Sequence, residues 1–491
     1  MLWLADCLQL TSTEDLWSID QQGGVNSGSF SFGSGEEATD EDVQAYLLSH
    51  ANQQQHEAHG YQQELTRRRA KVRGGRGKKG PRKLLGTRSV SHDSADFAEK
   101  IMRVVPDIGE DARVELSSWE GKIDSWDFDI FRVNELTNGT PLAFVLFAVF
   151  SRYRLMEKLN LEERTVISLA HALDAGYTAQ AVAPYHNNIH GADVIQALSY
   201  VIRNAGLNDR LVDTEILAAV LAAAVHDIAH PAVTNNFHAE TFSPMAMLYN
   251  DQSVNENHHL ASGFAILQKP ENDLTRRLSR ADRKGVRSMM IRLVLATDLA
   301  NHFDYIARLN TKLDSAEAAP LTSPRSSNPP PIASPGSKVV PLVSGSPQVP
   351  LDPADSPTPV PDTSPAATLE PLLLMETAMK MADVANGARM PSVFNGWGQR
   401  VFEEFYLQGD MEAEAKLPIS AFMDRRNPNE AKCQSSFLQY IVSPLYAVGK
   451  RIWPEMNGPT AQLEANRKAL EERAAAAAAE AAAGDSGGEK P

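Results

Sequence analysis

Between Ser125 and Leu313 the apolar residues recur at intervals of three and four, the spacing of helices that bury one face. SWDFDIFRVNELTNGTPLAFVLFAVFSRY carries this rhythm through a turn at Asn138-Gly139. The pattern predicts a helix over 161–175 with Asn160 as its N-cap, and another over 190–205 stopped by Gly206. The stretch 213–226 is rich in Ala, Leu and Val and apolar on nearly every side, which predicts a central position. SPMAMLYND and SVNENHHLASGFAIL follow, and then an amphipathic helix over 287–309. Helix resumes at Leu369 with LEPLLLMETAMKMADVANG, FNGWGQRVFEEFYLQGD and NEAKCQSSFLQYIVSPLYAVGKRIW. No period-two alternation appears in this region, so the predicted class is all-α, a compact multi-helix bundle.

Three stretches fall outside the pattern. Residues 1–95 are Gly/Ser- and Gln-rich and carry a basic run, RRRAKVRGGRGKKGPRK, at 67–83. They hold too little apolar surface to offset the entropy of ordering and are expected to be disordered. The basic run is a candidate for peripheral contact with an acidic membrane surface, RNA or a nuclear import receptor, with a solvated tail as the alternative. RSVSHDS at 88–94 offers hydroxyls for phosphorylation beside it. Residues 314–367 are dominated by Pro, Ser, Thr and Ala, which reads as a disordered insertion within one domain because helix continues beyond it. The Ala/Glu-rich tail over 463–483 has high helix propensity and almost no apolar stripe, and is expected to be a solvated, fraying helix. The chain thus divides into 1–95, a helical domain over 96–456 interrupted by the insertion, and a tail over 457–491.

Composition narrows the class further. The 491 residues carry a net charge of −15, from 47 basic and 62 acidic side chains, which argues against a protein that is mainly a nucleic-acid binder. The two cysteines, Cys7 and Cys433, lie at opposite ends, so neither a disulfide framework nor a cysteine zinc site is expected, in keeping with a cytoplasmic setting. No apolar run reaches bilayer length, so no transmembrane segment is expected. MLWLADCLQLTSTEDLW has an early acidic residue and no long apolar core, unlike a signal peptide. No oligomeric state is implied.

The densest chemistry lies between Tyr185 and Phe237. YHNNIH at 185–190 and VHDIAHP at 225–231 are histidine clusters, and KMADVAN supplies a distant Asp383. On a helix, His186 and His190 would share one face, one turn apart. His226 and Asp227 offer imidazole and carboxylate from adjacent positions, with His230 one turn on. Such a nitrogen- and oxygen-rich cluster suits Zn²⁺ as a first ion and Mg²⁺ or Mn²⁺ as a second. Taken alone, Phe437 and Trp397 read as core aromatics, and Gln434 as a surface glutamine.

YHNNIHGADV, LAAAVHDIAHPAVTNNF, MLYNDQSVNENHHLA, VLATDLANH, ADVAN and CQSSFLQYIVSPLY, in this order, resemble the catalytic domain of class I 3′,5′-cyclic nucleotide phosphodiesterases, metallohydrolases of the HD type. The resemblance runs from about Ser125 to Trp453, the insertion apart, and implies a helical bundle that converts cAMP and/or cGMP to nucleoside 5′-monophosphates. It implies that His190, His226, Asp227 and Asp383 ligate a first, zinc-like ion, that Asp227 bridges to a second, usually Mg²⁺, and that His186 is the general acid. His230 and Glu256 would orient histidines and water around the ions, and Asn187 and Asp298 would line the pocket rim. Gln434 would read the purine and Phe437 stack on it, with Val401 on the other face and Phe394, Trp397 and Asn386 lining the pocket. A phosphodiester anion repels attacking anions, which makes cations at the site chemically sensible. An amide that both donates and accepts suits a purine edge. The chain departs from the family pattern at Lys380-Met381-Ala382 before Asp383, where many members have a His, at Gly387-Ala388 after Asn386, and at Ser435-Ser436 before the stacking Phe437. KMADVAN and AFMDR resemble the cGMP-selective branch, whereas a freely rotating Gln434 would accept either purine. Another nucleotide phosphohydrolase of the HD type, or a non-catalytic cyclic-nucleotide sensor, is the alternative reading.

Overall fold

The structure, a computed structural model, describes residues 97, 99–318 and 365–485. The region 1–95 with its basic run, and residues 319–364 of the expected insertion, lie outside the described residues. Every regular element among the described residues is a helix. The principal ones are α1 (Pro141–Tyr153), α2 (Glu163–Asp174), α3 (Asn188–Asn204), α4 (Asp213–Val225), α5 (Val254–Leu267), α6 (Arg280–Leu295), α7 (His302–Ala318), α8 (Pro371–Asp383), α9 (Pro391–Glu414), α10 (Glu430–Phe437), α11 (Ser443–Ile452) and α12 (Asn457–Asp485).

Helix α4 is buried from Thr214 to Val225, as its all-round apolar surface requires. It packs along α6 and against α3, and α3 in turn packs on α1 and α8. Arg389, fully buried after α8, locks this centre: its Nη2 donates to Asp193 Oδ1 at 2.6 Å and Gln196 Oε1 at 2.7 Å on α3. Trp397 of α9 donates from Nε1 to the other oxygen of Asp193 at 3.1 Å. No single described helix is long and apolar enough to cross a membrane. The two most apolar, α1 and α4, are each 13 residues long and largely buried in the core.

Three expectations change. Asn160 does not cap a helix; it adopts the left-handed conformation (φ 52°), and α2 begins at Glu163. The amphipathic stretch 287–309 is not one helix. It breaks between α6 and α7, where Thr297 Oγ1 donates to Val294 O at 2.6 Å and the Asp298 carboxylate caps the next turn by accepting from Ala300 N at 2.9 Å. These local side-chain bonds compete with helix continuation. The tail also departs from expectation: α12 packs on α10 and α11 and buries Leu463, Asn466 and Leu470, and Asn466 Nδ2 donates to the carbonyls of Gly387 (3.0 Å) and Arg389 (2.8 Å).

Candidate active site

Three helix ends meet at one point. His190 is on the first turn of α3, His226 and Asp227 follow the last turn of α4, and Asp383 closes α8. Helix C-termini carry partial negative charge, so two of them bearing two carboxylates form a place where a cation is favoured. The ligand-type atoms of His190, His226, Asp227 and Asp383 all lie within 4.8 Å of one another. The two Nε2 atoms are 3.2 Å apart, and each stands 3.2–3.3 Å from Asp227 Oδ2 and Asp383 Oδ1. Donors about 2.0–2.1 Å from a tetrahedral centre are about 3.3–3.4 Å apart, so these four are spaced as one coordination shell. His226 is orientated for the purpose, since its Nδ1–H donates to Ala223 O at 2.8 Å and leaves the Nε2 lone pair facing the cluster.

Burial alone would push both carboxyls up, but the neighbouring imidazoles outweigh it and hold Asp227 and Asp383 below the ordinary carboxylate range. The same carboxylates raise His190 and His226 against the effect of burial. Proton and cation compete for these lone pairs, so a bound cation releases the protons. The donor set therefore fits a divalent metal.

Asp227 also faces the other way. Its Oδ1 is 3.6 Å from His259 Nε2, while His259 Nδ1 donates to Ile228 O at 2.7 Å. Burial pushes His259 down to about 4, so the ring is neutral and two acceptors face one another, an arrangement that calls for a cation or a donor between them. His230 is buried, and its Nδ1 accepts from Ala232 N at 3.0 Å. Ala229 and Ala232 both have positive φ (57° and 61°), so the loop after α4 is held in a costly conformation around His230.

His186 does not join His190 on one helical face. Asn187 is extended and caps α3, its side chain accepting from Ile189 N at 2.9 Å, so the chain turns before the helix begins. His186 instead stacks on His230 at 4.0 Å and pairs through Nδ1 with Glu404 Oε1. The other oxygen of Glu404 accepts from the amides of Tyr185 (2.9 Å) and His186 (3.0 Å). Burial raises the Glu404 carboxyl, but the His186 charge and these hydrogen bonds outweigh it and leave it below its ordinary value.

These groups open on a cavity of about 410 Å³. Of the residues singled out in the sequence, His186, His190, Asp227, His230, Glu256, Asp298, Asp383, Val401 and Phe437 line it. His226 lies just behind, fully buried. Five others are not on its wall. Asn187 is buried and spends its amide on Ala183 O and Pro184 O. Trp397 is fully buried behind the site, held by Asp193 and packed edge-on to Tyr185. Asn386 donates to the Tyr185 hydroxyl at 2.9 Å, and Phe394 is buried in the core. Gln434 lies one turn before Phe437 with its amide against the backbone of Gly398, itself one turn before Val401. Gly398 and Gln434 thus lie one helical turn from Val401 and Phe437, respectively, beyond the cavity wall.

Glu404, His259 and Tyr185 were not singled out as site residues from the sequence. Glu404 carried a readable signal, a carboxylate on the same face of α9 as Val401 and Gln408, both buried. His259 stood beside Glu256 in ENHHLA without anything local to separate it from half-buried His258.

The model of the 3′5′-cyclic nucleotide phosphodiesterase family matches residues 185–463, which contain every residue of this centre. The chain belongs to this family. Among relatives, it is 32% identical over 355 residues to mouse "3′,5′-cyclic-AMP phosphodiesterase 4C", covering 71% of this chain and 45% of that one. It is also 32% identical over 327 residues to the mouse "dual specificity calcium/calmodulin-dependent 3′,5′-cyclic nucleotide phosphodiesterase 1C", covering 66% and 39%. The chain therefore spans less than half the length of these two family members. The phosphodiesterase domain of the RhoPDE fusion protein from the choanoflagellate Salpingoeca rosetta shares the fold, with a TM-score of 0.57 at 21% identity, over 71% of this chain and 95% of that domain.

Proposed function

We propose that this chain hydrolyses cAMP and/or cGMP to the nucleoside 5′-monophosphate. The observation that carries the reading is the meeting of His190, His226, Asp227 and Asp383 at coordination spacing on the floor of a cavity with Phe437 and Val401 in its wall. His190, His226, Asp227 and Asp383 would hold the first cation, which we assign as zinc from its two imidazoles and two carboxylates. Mg²⁺ or Mn²⁺ would take the second place, with Asp227 shared between the two. Such ions neutralise the phosphodiester charge and polarise its oxygens.

The remaining chemistry belongs to the protein's own side chains. His186 lines the cavity with Nδ1 tied to Glu404, which leaves Nε2 to hand a proton to the departing 3′-oxygen. The Glu404 carboxylate fixes the direction of the ring. His230, neutral and stacked on His186, keeps the ring from swinging away. Glu256, which accepts from Asn235 Nδ2 at 3.0 Å, supplies a polar group on the side of the cavity facing Asp298. Phe437 and Val401 offer apolar surface to the base, and Gln434, one turn before Phe437, would read its edge. Steady-state turnover of cAMP and cGMP with added Mg²⁺ tests the reading. Turnover of at least one nucleotide, abolished in His186→Ala, is expected; turnover of neither by the wild-type chain would refute it.

A further inference from the structure

Lys380 stands one turn before Asp383 on α8 and is only 3% exposed. Its ammonium donates to Ala296 O at 2.7 Å and reaches Asp298 O at 3.5 Å, with the Tyr305 ring 5.6 Å away. Those carbonyls frame the break between α6 and α7. Thr297, Asp298, Leu299 and Ala300, four successive residues of that break, line the cavity. Asp298 is held from the opposite side by Ser253 Oγ, which donates to its carboxylate at 2.6 Å.

A buried ammonium is costly unless its donors are used and its charge is balanced. Here the donors serve two backbone carbonyls at a helix break, and the carboxylates of Asp383, Asp298 and Glu376 supply favourable charge. Lysine's long stem and three donors let one side chain reach both carbonyls. One helix therefore carries a candidate metal ligand at its end and, a turn earlier, the tether of a cavity wall formed by a different part of the chain.

We propose that Lys380 is a positioning residue: it holds the Thr297–Ala300 wall in register with the Asp383 end of α8 and so sets how closely the cavity fits its nucleotide. The inference rests on the cyclic-nucleotide reading above and adds to it the element that shapes the wall. Lys380→Met keeps length and apolar packing but removes the donors. In that variant KM for the hydrolysed nucleotide rises roughly tenfold while kcat stays within about threefold, because the lost fit affects binding more than the chemical step. Amide hydrogen exchange across 296–301 accelerates roughly tenfold, because the break loses its tether. Should the Met variant not fold, Lys380→Gln, which keeps an amide donor, shows the same two changes at roughly threefold. A merely structural lysine would lower thermal stability with KM and local exchange unchanged. Either readout remaining at the wild-type level overturns the proposal. If the wild type hydrolyses neither nucleotide, the functional reading fails by itself, and exchange in Lys380→Met still decides the tether.

Discussion

Gly398 sets the place of the Gln434 amide, and replacing it by alanine is a one-carbon test of the proposed purine slot. A Cβ at 398 would fall 2.1 Å from Gln434 Nε2 and 3.3 Å from its Cδ. Ordinary contact needs about 3.4 Å or more, so the amide nitrogen must retreat by roughly 1.3 Å. A hydrogen bond stretched by that much is lost. Losing one amide contact and leaving its buried partner unpaired costs about 1–3 kcal/mol, which corresponds to a rise in KM of roughly 5- to 150-fold. The base is remote from the phosphate, so kcat should hardly move. Folding is not the weak point, because Gly→Ala inside a helix is favourable by about 0.5–1 kcal/mol. The assay is KM and kcat for both nucleotides in wild type, Gly398→Ala, Gln434→Ala and the double variant. With the amide gone there is nothing to displace, so Gly398→Ala should cost nothing on the Gln434→Ala background. An unchanged KM in Gly398→Ala, or an equal rise in both backgrounds, would refute the reasoning.

Two further variants probe Glu404, the partner of the proposed proton donor, and Glu256, the acid that faces Asp298. Glu404→Gln keeps an acceptor for the Tyr185 and His186 amides but removes the charge facing His186 Nδ1; kcat should fall roughly a hundredfold with KM little changed, and an unaltered kcat would exclude Glu404 from the mechanism. Burial, with the nearby Asp298 charge, pushes the Glu256 carboxyl up to about 8 from an ordinary 4.5. In metal-free protein the unfolded chain then binds fewer protons than the native one between those values, so stability falls as pH rises through that window. Glu256→Gln removes this loss, and urea unfolding should find the metal-free variant more stable than wild type above pH 8 by a few kcal/mol and equal to it below pH 4.5; a pH-independent difference would contradict the assignment.

His190, His226 and Asp227 were legible as a candidate cluster because they fall where helices begin and end, whereas the i, i+4 spacing misled for His186, which lies before α3 and not on its face. Asp383 was singled out as a distant candidate, but it arrives from the far side of the expected insertion, so no local spacing tied it to the histidines and its role as a ligand came from the resemblance. Side chains on one apolar stripe proved harder. Phe394, Trp397 and Val401 share a face of α9, yet only Val401 lines the cavity, because neighbouring helices decide where that face turns from core to wall. The same spacing concealed the break between α6 and α7: apolar periodicity continues on both sides, while Thr297 and Asp298 satisfy the backbone locally and place Asp298 at the cavity. In the tail, Leu463, Asn466 and Leu470 form a real but narrow stripe diluted by alanine, and the carbonyls that Asn466 serves are nearly eighty residues away in sequence. Glu404 shows a more usable sign, since a carboxylate on a buried helix face needs a partner.

The most direct test of the metal centre is a cation titration of cyclic-nucleotide turnover in chelator-stripped protein. The stripped wild type should be inactive and should recover with divalent cations. Asp383→Ala should remain more than about a hundredfold below it at the same cation concentrations, because loss of a ligand exceeds the 10–100-fold typical of losing a group that only orients one. Full turnover in stripped wild-type protein, or wild-type recovery in Asp383→Ala, would contradict a centre built from His190, His226, Asp227 and Asp383.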